Sequence, residues 1–108
     1  MFVPNMDNDG HDTSPHFADA WLTKTFMNHL QNPNFINNTL FVLTFDESES
    51  YFGNRIFTAL YGSMVKPGSQ NSDKLNHYSI LKMVEDIFQL GTLGRKDASA
   101  VPLRGIWK

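Results

Sequence analysis

Two short stretches of this 108-residue chain group acidic and imidazole side chains closely: NDGHDT at 8–13 and TFDES at 44–48. In the first, Gly10 lets the backbone turn tightly and present the His11 imidazole. A neutral imidazole can ligate a metal, and an imidazolium can hold a phosphate oxygen. Asp12 is placed to orient the ring by accepting its second N–H. In the second, Asp46 and Glu47 are adjacent carboxylates. Such a pair can share a divalent cation, because hard oxygen ligands suit Mg, Ca and Mn and also fit Zn. Each cluster has a plainer reading. NDGHDT is also the composition of an Asx-type turn leading into a helix, with His11 incidental. DES is also how an ordinary solvated loop begins.

The elements that must position these residues are readable from periodicity. Residues 4–15 are rich in Asp, Asn, Gly and Pro, which is loop chemistry. Residues 17–31 place Phe17, Trp21, Leu22, Met27 and Leu30 at mostly helical spacing, and Asn32 and Pro33 then stop the helix. TLFVLTF, 39–45, is short, apolar and β-branched, and predicts a strand buried on both faces, as in a central parallel strand. Asp46 and Glu47 follow its carboxyl end, the place where open α/β sheets bind ligands. His11 is expected to converge there with them.

A second strand is expected in RIFTALYG, 55–62, followed by a polar loop. A second amphipathic helix is expected over 78–90, with Ile80, Leu81, Val84, Ile87, Phe88 and Leu90 as its apolar face and Gly91 as its terminator. His77 stands just before that helix. It reads as an N-terminal cap, as a group pointing into a cleft, or as a plain surface histidine. His16, before the first helix, and His29, within it, read as structural. The tail from Gly91 is irregular. The order of elements predicts an α/β fold with few, mostly parallel strands flanked by helices.

Composition narrows the function classes. An apolar fraction of 41% with 13% aromatics suffices for a core. The net charge is −2 and there is no basic stripe, so nucleic acid is a poor partner. The longest apolar run, LFVL, is far too short to span a bilayer. The chain has no cysteine, which excludes disulfides and thiolate metal sites. MFVPNMDNDG lacks the basic and apolar regions of a signal peptide. Asn37–Thr39 fits a glycosylation acceptor. GTLG and YGSMVKPG lack the glycine spacing and lysine–hydroxyl pair of a P-loop, and no Gly-x-Ser-x-Gly elbow is present.

In order along the chain, VPNMDNDGHDT, NTLFVLTFDESE, NRIFTALYG and NHYSILKMVEDIFQLGTLGRKD resemble the C-terminal third of the phosphoesterase family, which holds acid phosphatases and non-specific phospholipases C within the alkaline-phosphatase-like superfamily. The likeness is greatest to fungal acid phosphatases and runs from about residue 2 to residue 98. It implies a partial alkaline-phosphatase-like sheet. It implies that Asp46 and Glu47 ligate a catalytic divalent metal of unknown identity, that His11 lines the phosphate pocket with Asp12 behind it, and that His77 contributes a further catalytic histidine. The superfamily mechanism so implied is attack by a metal-activated Ser or Thr on phosphorus, then hydrolysis of the phospho-enzyme.

The resemblance also implies that the family's Glu-Asn ligands, nucleophile and several strands belong to an N-terminal segment outside this chain. Ser14, Ser48 and Ser50 do not match the nucleophile position. The expectation is therefore part of a phosphoesterase domain over 1–108, with a phosphate ester as substrate of the full-length form and no activity alone. Secretion is expected if that parent carries a signal peptide. A non-catalytic, partner-binding remnant on the same sheet is the alternative, and a small α+β protein unrelated to catalysis is a third. A sheet edge left open would favour association.

Overall fold

A computed structural model describes residues 1–48 and 53–108, so Ser50 and the last residue of TFDESE lie outside the described residues. The chain divides into two compact units, Met1–Ser63 and Met64–Lys108.

In the first unit, Ser14 caps α1 (Pro15–Leu30) by accepting from the Phe17 amide at 3.2 Å, and Pro15 supplies the fixed φ suited to the first helical turn. The helix begins two residues before the stretch its apolar spacing marked, which puts His16 inside it. Its covered stripe is Ala18, Trp21, Leu22, Thr25, Phe26 and Leu30, all half-buried. Phe17 and Met27, expected on that stripe, are instead exposed. The 3.6-residue repeat places Phe26, not Met27, on the side of Trp21 and Leu22. Phe26 then joins an aromatic cluster, with ring centroids 5.6 Å from Phe2, 6.0 Å from Trp21 and 5.5 Å from Phe41. Asn32 ends this stretch and caps the single turn α2 (Pro33–Ile36).

The sheet corrects the expectation of mostly parallel strands. β1 (Phe41–Thr44) and β2 (Thr58–Tyr61) pair antiparallel, with Phe41 opposite Tyr61 and Thr44 opposite Thr58. The Thr44 and Thr58 hydroxyls meet at 2.8 Å across the ladder. A parallel pair needs a long crossover, usually a helix. Here the Ser48 amide donates to the Asn54 side chain at 3.0 Å, and Gly53 and Asn54 both have positive φ. Phe41–Leu43 are half-buried rather than covered on both faces, and Thr44 is exposed. The fold is thus mixed α/β, without the parallel arrangement.

In the second unit, Asn76 caps α3 (His77–Phe88) in a capping box with Ser79. This corrects the cap reading of His77, which is the first helical residue. The helix ends in Gln89, which takes the left-handed conformation (φ 54°), while the Leu90 amide returns to the Glu85 carbonyl at 3.0 Å. Gly91, expected as the terminator, lies two residues beyond. The buried residues of α3 are Ser79, Met83 and Glu85. Met83, Leu103 and Ile106 are the buried apolar residues. Val84, Ile87, Phe88 and Leu90, expected to face the core, are exposed, Phe88 at 68%. Only Ile80 and Leu81 of the expected face are half-covered.

The C-terminal strand-like segment returns along residues 64–66. Val65 bridges Trp107, the Lys66 amide donates to the Ile106 carbonyl at 2.8 Å, and the Trp107 indole donates to the Leu103 carbonyl at 3.0 Å. Among the described residues no helix is long and apolar enough to cross a membrane.

Candidate functional site

The loop before α1 is built from its own side chains. The Asn8 and Asp9 amides both donate to the Asn5 carbonyl at 3.0 Å, and the Asp12 amide donates to the Met6 carbonyl at 3.0 Å. Asp9 Oδ1 accepts from the His11 amide at 2.8 Å, an Asx turn. Gly10 has φ +93°, and a Cβ there would stand 3.4 Å from both Ala18 Cβ and the Ser14 carbonyl. Glycine is therefore favoured by the backbone conformation, while a Cβ would meet the helix only at ordinary contact distance.

Within this frame the His11 ring is exposed, and its Nδ1 lies 2.9 Å from Asp12 Oδ1. The pKa of His11 is raised above 6.5, first by the hydrogen bond to Asp12, then by the Asp12 charge. Slight desolvation opposes this, while the charges of Asp9 and Glu47 add to it. No described residue takes the Nε2 atom. The arrangement presents one N–H outward on a ring biased toward the imidazolium.

Of the charges that raise the His11 pKa, that of Glu47 in the second cluster is the smallest. Asp46 and Glu47 follow Phe45 at the carboxyl end of β1 and are exposed. The carboxylate of Glu47 is within electrostatic range of His11, so His11, Asp12, Asp9 and Glu47 share one field. Asp9 carries no weight in the sequence reading, although an Asp two residues before a turn residue is the signal for such an amide-capping role. His77 belongs to the second unit and stands exposed at the start of α3. His29 stacks on Phe35 with centroids 5.4 Å apart, in keeping with a structural role.

For a divalent ion the donors fit in kind, since adjacent carboxylates suit hard cations. They fall short in number. Among the described residues no three His, Cys, Asp or Glu side chains come together to hold an ion.

Comparison with known proteins places this geometry in context. The model of the Phosphoesterase family matches residues 1–91, which include His11, Asp12, Asp46, Glu47 and His77. A probable acid phosphatase of Kluyveromyces lactis is 41% identical over 104 residues, covering 93% of this chain and 25% of the relative. A phosphatidylinositol-3-phosphatase of Mycobacterium tuberculosis is 38% identical over 105 residues, covering 97% of this chain and 34% of the relative. An acid phosphatase of Aspergillus niger is 39% identical over 105 residues, with 93% and 25% covered. The chain thus spans about a quarter to a third of the length of these relatives. No solved structure is significantly similar to it. With the family match running through both acidic clusters and the histidines beside them, the chain belongs to the phosphoesterase family.

Proposed function

We propose that this chain supplies part of a phosphate-ester hydrolase site of the acid phosphatase kind. Asp46 and Glu47 are the residues that would hold a divalent metal ion. Such an ion, when bound, neutralises charge on the group being transferred. His11 holds a phosphate oxygen through Nε2–H, and Asp12 keeps the ring charged and correctly turned for that contact. His77, in the second unit, stands as a candidate catalytic histidine on the family resemblance alone. The relatives named for phosphatase activity put phosphate esters first among substrates.

The observation that carries this reading is the match of the family model over residues 1–91, which spans His11, Asp12, Asp46 and Glu47, and the Glu47 charge, the smallest of those that raise the His11 pKa, supports it. Mn2+ added to the isotope-labelled chain should broaden the NMR signals of His11 and of Asp46–Ser48 selectively. The effect should vanish in the Asp46→Asn, Glu47→Gln double variant. Broadening that spares His11, or that survives in that variant, would sink the reading. A second reading, a non-catalytic binding module on the same fold, draws on the exposed apolar residues Val84, Ile87 and Phe88 of α3. It expects no selective Mn2+ effect.

A further inference from the structure

Charge is unevenly spread along this chain. Residues 91–108 hold four of its nine Lys and Arg side chains but one of its eleven acids, Asp97. That one acid is turned inward. Asp97 is 1% exposed, and its carboxylate accepts from the Leu93 amide at 2.8 Å, the Arg95 amide at 3.0 Å and the Thr92 hydroxyl. Its charge is spent within the turn it ties together. Arg95 and Lys96, in that same turn, have no acidic side chain within ion-pair distance among the described residues.

Both cations line an open cleft with Tyr78, Leu93, Gly94 and Ser99. The Lys96 ammonium sits 5.6 Å from the Tyr78 ring centroid, a weak cation–π contact that favours its place beside the cleft. The Ser99 hydroxyl makes only a long contact, 3.4 Å, to the Lys96 carbonyl, and can turn toward a ligand at little cost. The residues lining this one opening carry a guanidinium fork, an ammonium and a hydroxyl, the groups that recognise a phosphate. They stand in a chain whose net charge of −2 would otherwise repel anions.

We infer that the cleft formed by Tyr78, Arg95, Lys96 and Ser99 is a binding site for a phosphate-bearing anion. The site lies wholly within the second unit. It uses none of His11, Asp46 or Glu47, so it stands or falls separately from the hydrolase reading.

The experiment is an NMR titration of the labelled chain with inorganic phosphate, and in parallel with vesicles of phosphatidylcholine with or without phosphatidylserine. Saturable shifts confined to Tyr78 and residues 93–99 on adding inorganic phosphate assign the site to soluble phosphates. The same signals responding only to the phosphatidylserine vesicles assign it to lipid headgroups. In either arm Arg95→Gln and Lys96→Gln should each weaken the response about tenfold, the loss expected for one charge-assisted hydrogen bond. Both variants keep the backbone amides that hold Asp97, so unchanged shifts of Thr92 and Asp97 report an intact turn. No response of these signals in either arm overturns the inference. So does a response that both variants leave unchanged.

Discussion

The His11 Nδ1 atom lies 2.9 Å from Asp12 Oδ1, on a loop already fixed by the Asp9 side chain and Gly10. The imidazole is thus aimed by its neighbour and charged by it. Its raised pKa has a definite consequence for pH. The favourable pairing is fully present below about 6.5, the ordinary value, and is lost as pH climbs through the raised folded value.

Asp12→Asn should lower the His11 pKa toward the ordinary range, because the largest cause of the shift is removed. Glu47→Gln should lower it by less. Both are measurable by following the ring proton signals against pH. A Glu47→Gln variant with the pKa of the unsubstituted chain would separate the two acidic clusters.

Divalent ions should bind the purified chain weakly. Hard cations want about six oxygens, and an adjacent pair of carboxylates leaves most of them to water. Calorimetry with Mg2+, Ca2+ or Mn2+ should give dissociation constants of roughly millimolar or weaker. With any of these ions or Zn2+ added, p-nitrophenyl phosphate should stay essentially untouched. Turnover at an ordinary enzymatic rate, abolished by Asp46→Ala, would refute this.

The two sides of α3 should respond oppositely to substitution. Met83 is 4% exposed, and Met83→Ala should cost about 2–5 kcal/mol. Phe88→Ser, at an exposed position, should change stability by no more than about 0.5 kcal/mol. Urea unfolding of the two variants makes the comparison. A Phe88→Ser loss as large as that of Met83→Ala would mean that Phe88 is covered in solution.

The turn at 92–97 should depend on acid. Hydrogen bonds, first that from Thr92, hold the Asp97 carboxyl below its ordinary 3.8. Its contribution is therefore present above that value and lost as pH falls through the lower folded one. Asp97→Asn should speed amide exchange at Leu93 and Arg95 while leaving α1 untouched. Unaltered exchange at those two amides would show that the carboxylate does not hold the turn.

Removing a helix cap gives a local test. Ser14→Ala should destabilise the first unit by about 1 kcal/mol, as Ser14 satisfies the Phe17 amide. A melting curve followed by the Trp21 signal would detect it.

The local punctuation of this protein was legible in its residues. Asn32–Pro33 stops α1, and the apolar run at 39–45 holds β1, because caps and prolines act on their own backbone neighbours; the start at Ser14–Pro15 was missed by apolar spacing, which first marked Phe17. The Asx turn at Asp9–His11 and the His11–Asp12 pair are likewise short-range, set by residues one or two apart. Strand direction was not legible. An apolar run shows that a strand is covered, but not which neighbour covers it or in which direction that neighbour runs. The side of α3 that is buried was also decided elsewhere. Helical periodicity marked Val84, Ile87 and Phe88, whereas the fold covers Met83 and Ser79. Periodicity finds an apolar face, but only tertiary structure supplies the surface it meets. The same holds for the Glu47 charge, which adds to the raised pKa of His11 from three dozen residues away: a contribution over that sequence separation is set by the fold and not by neighbouring residues.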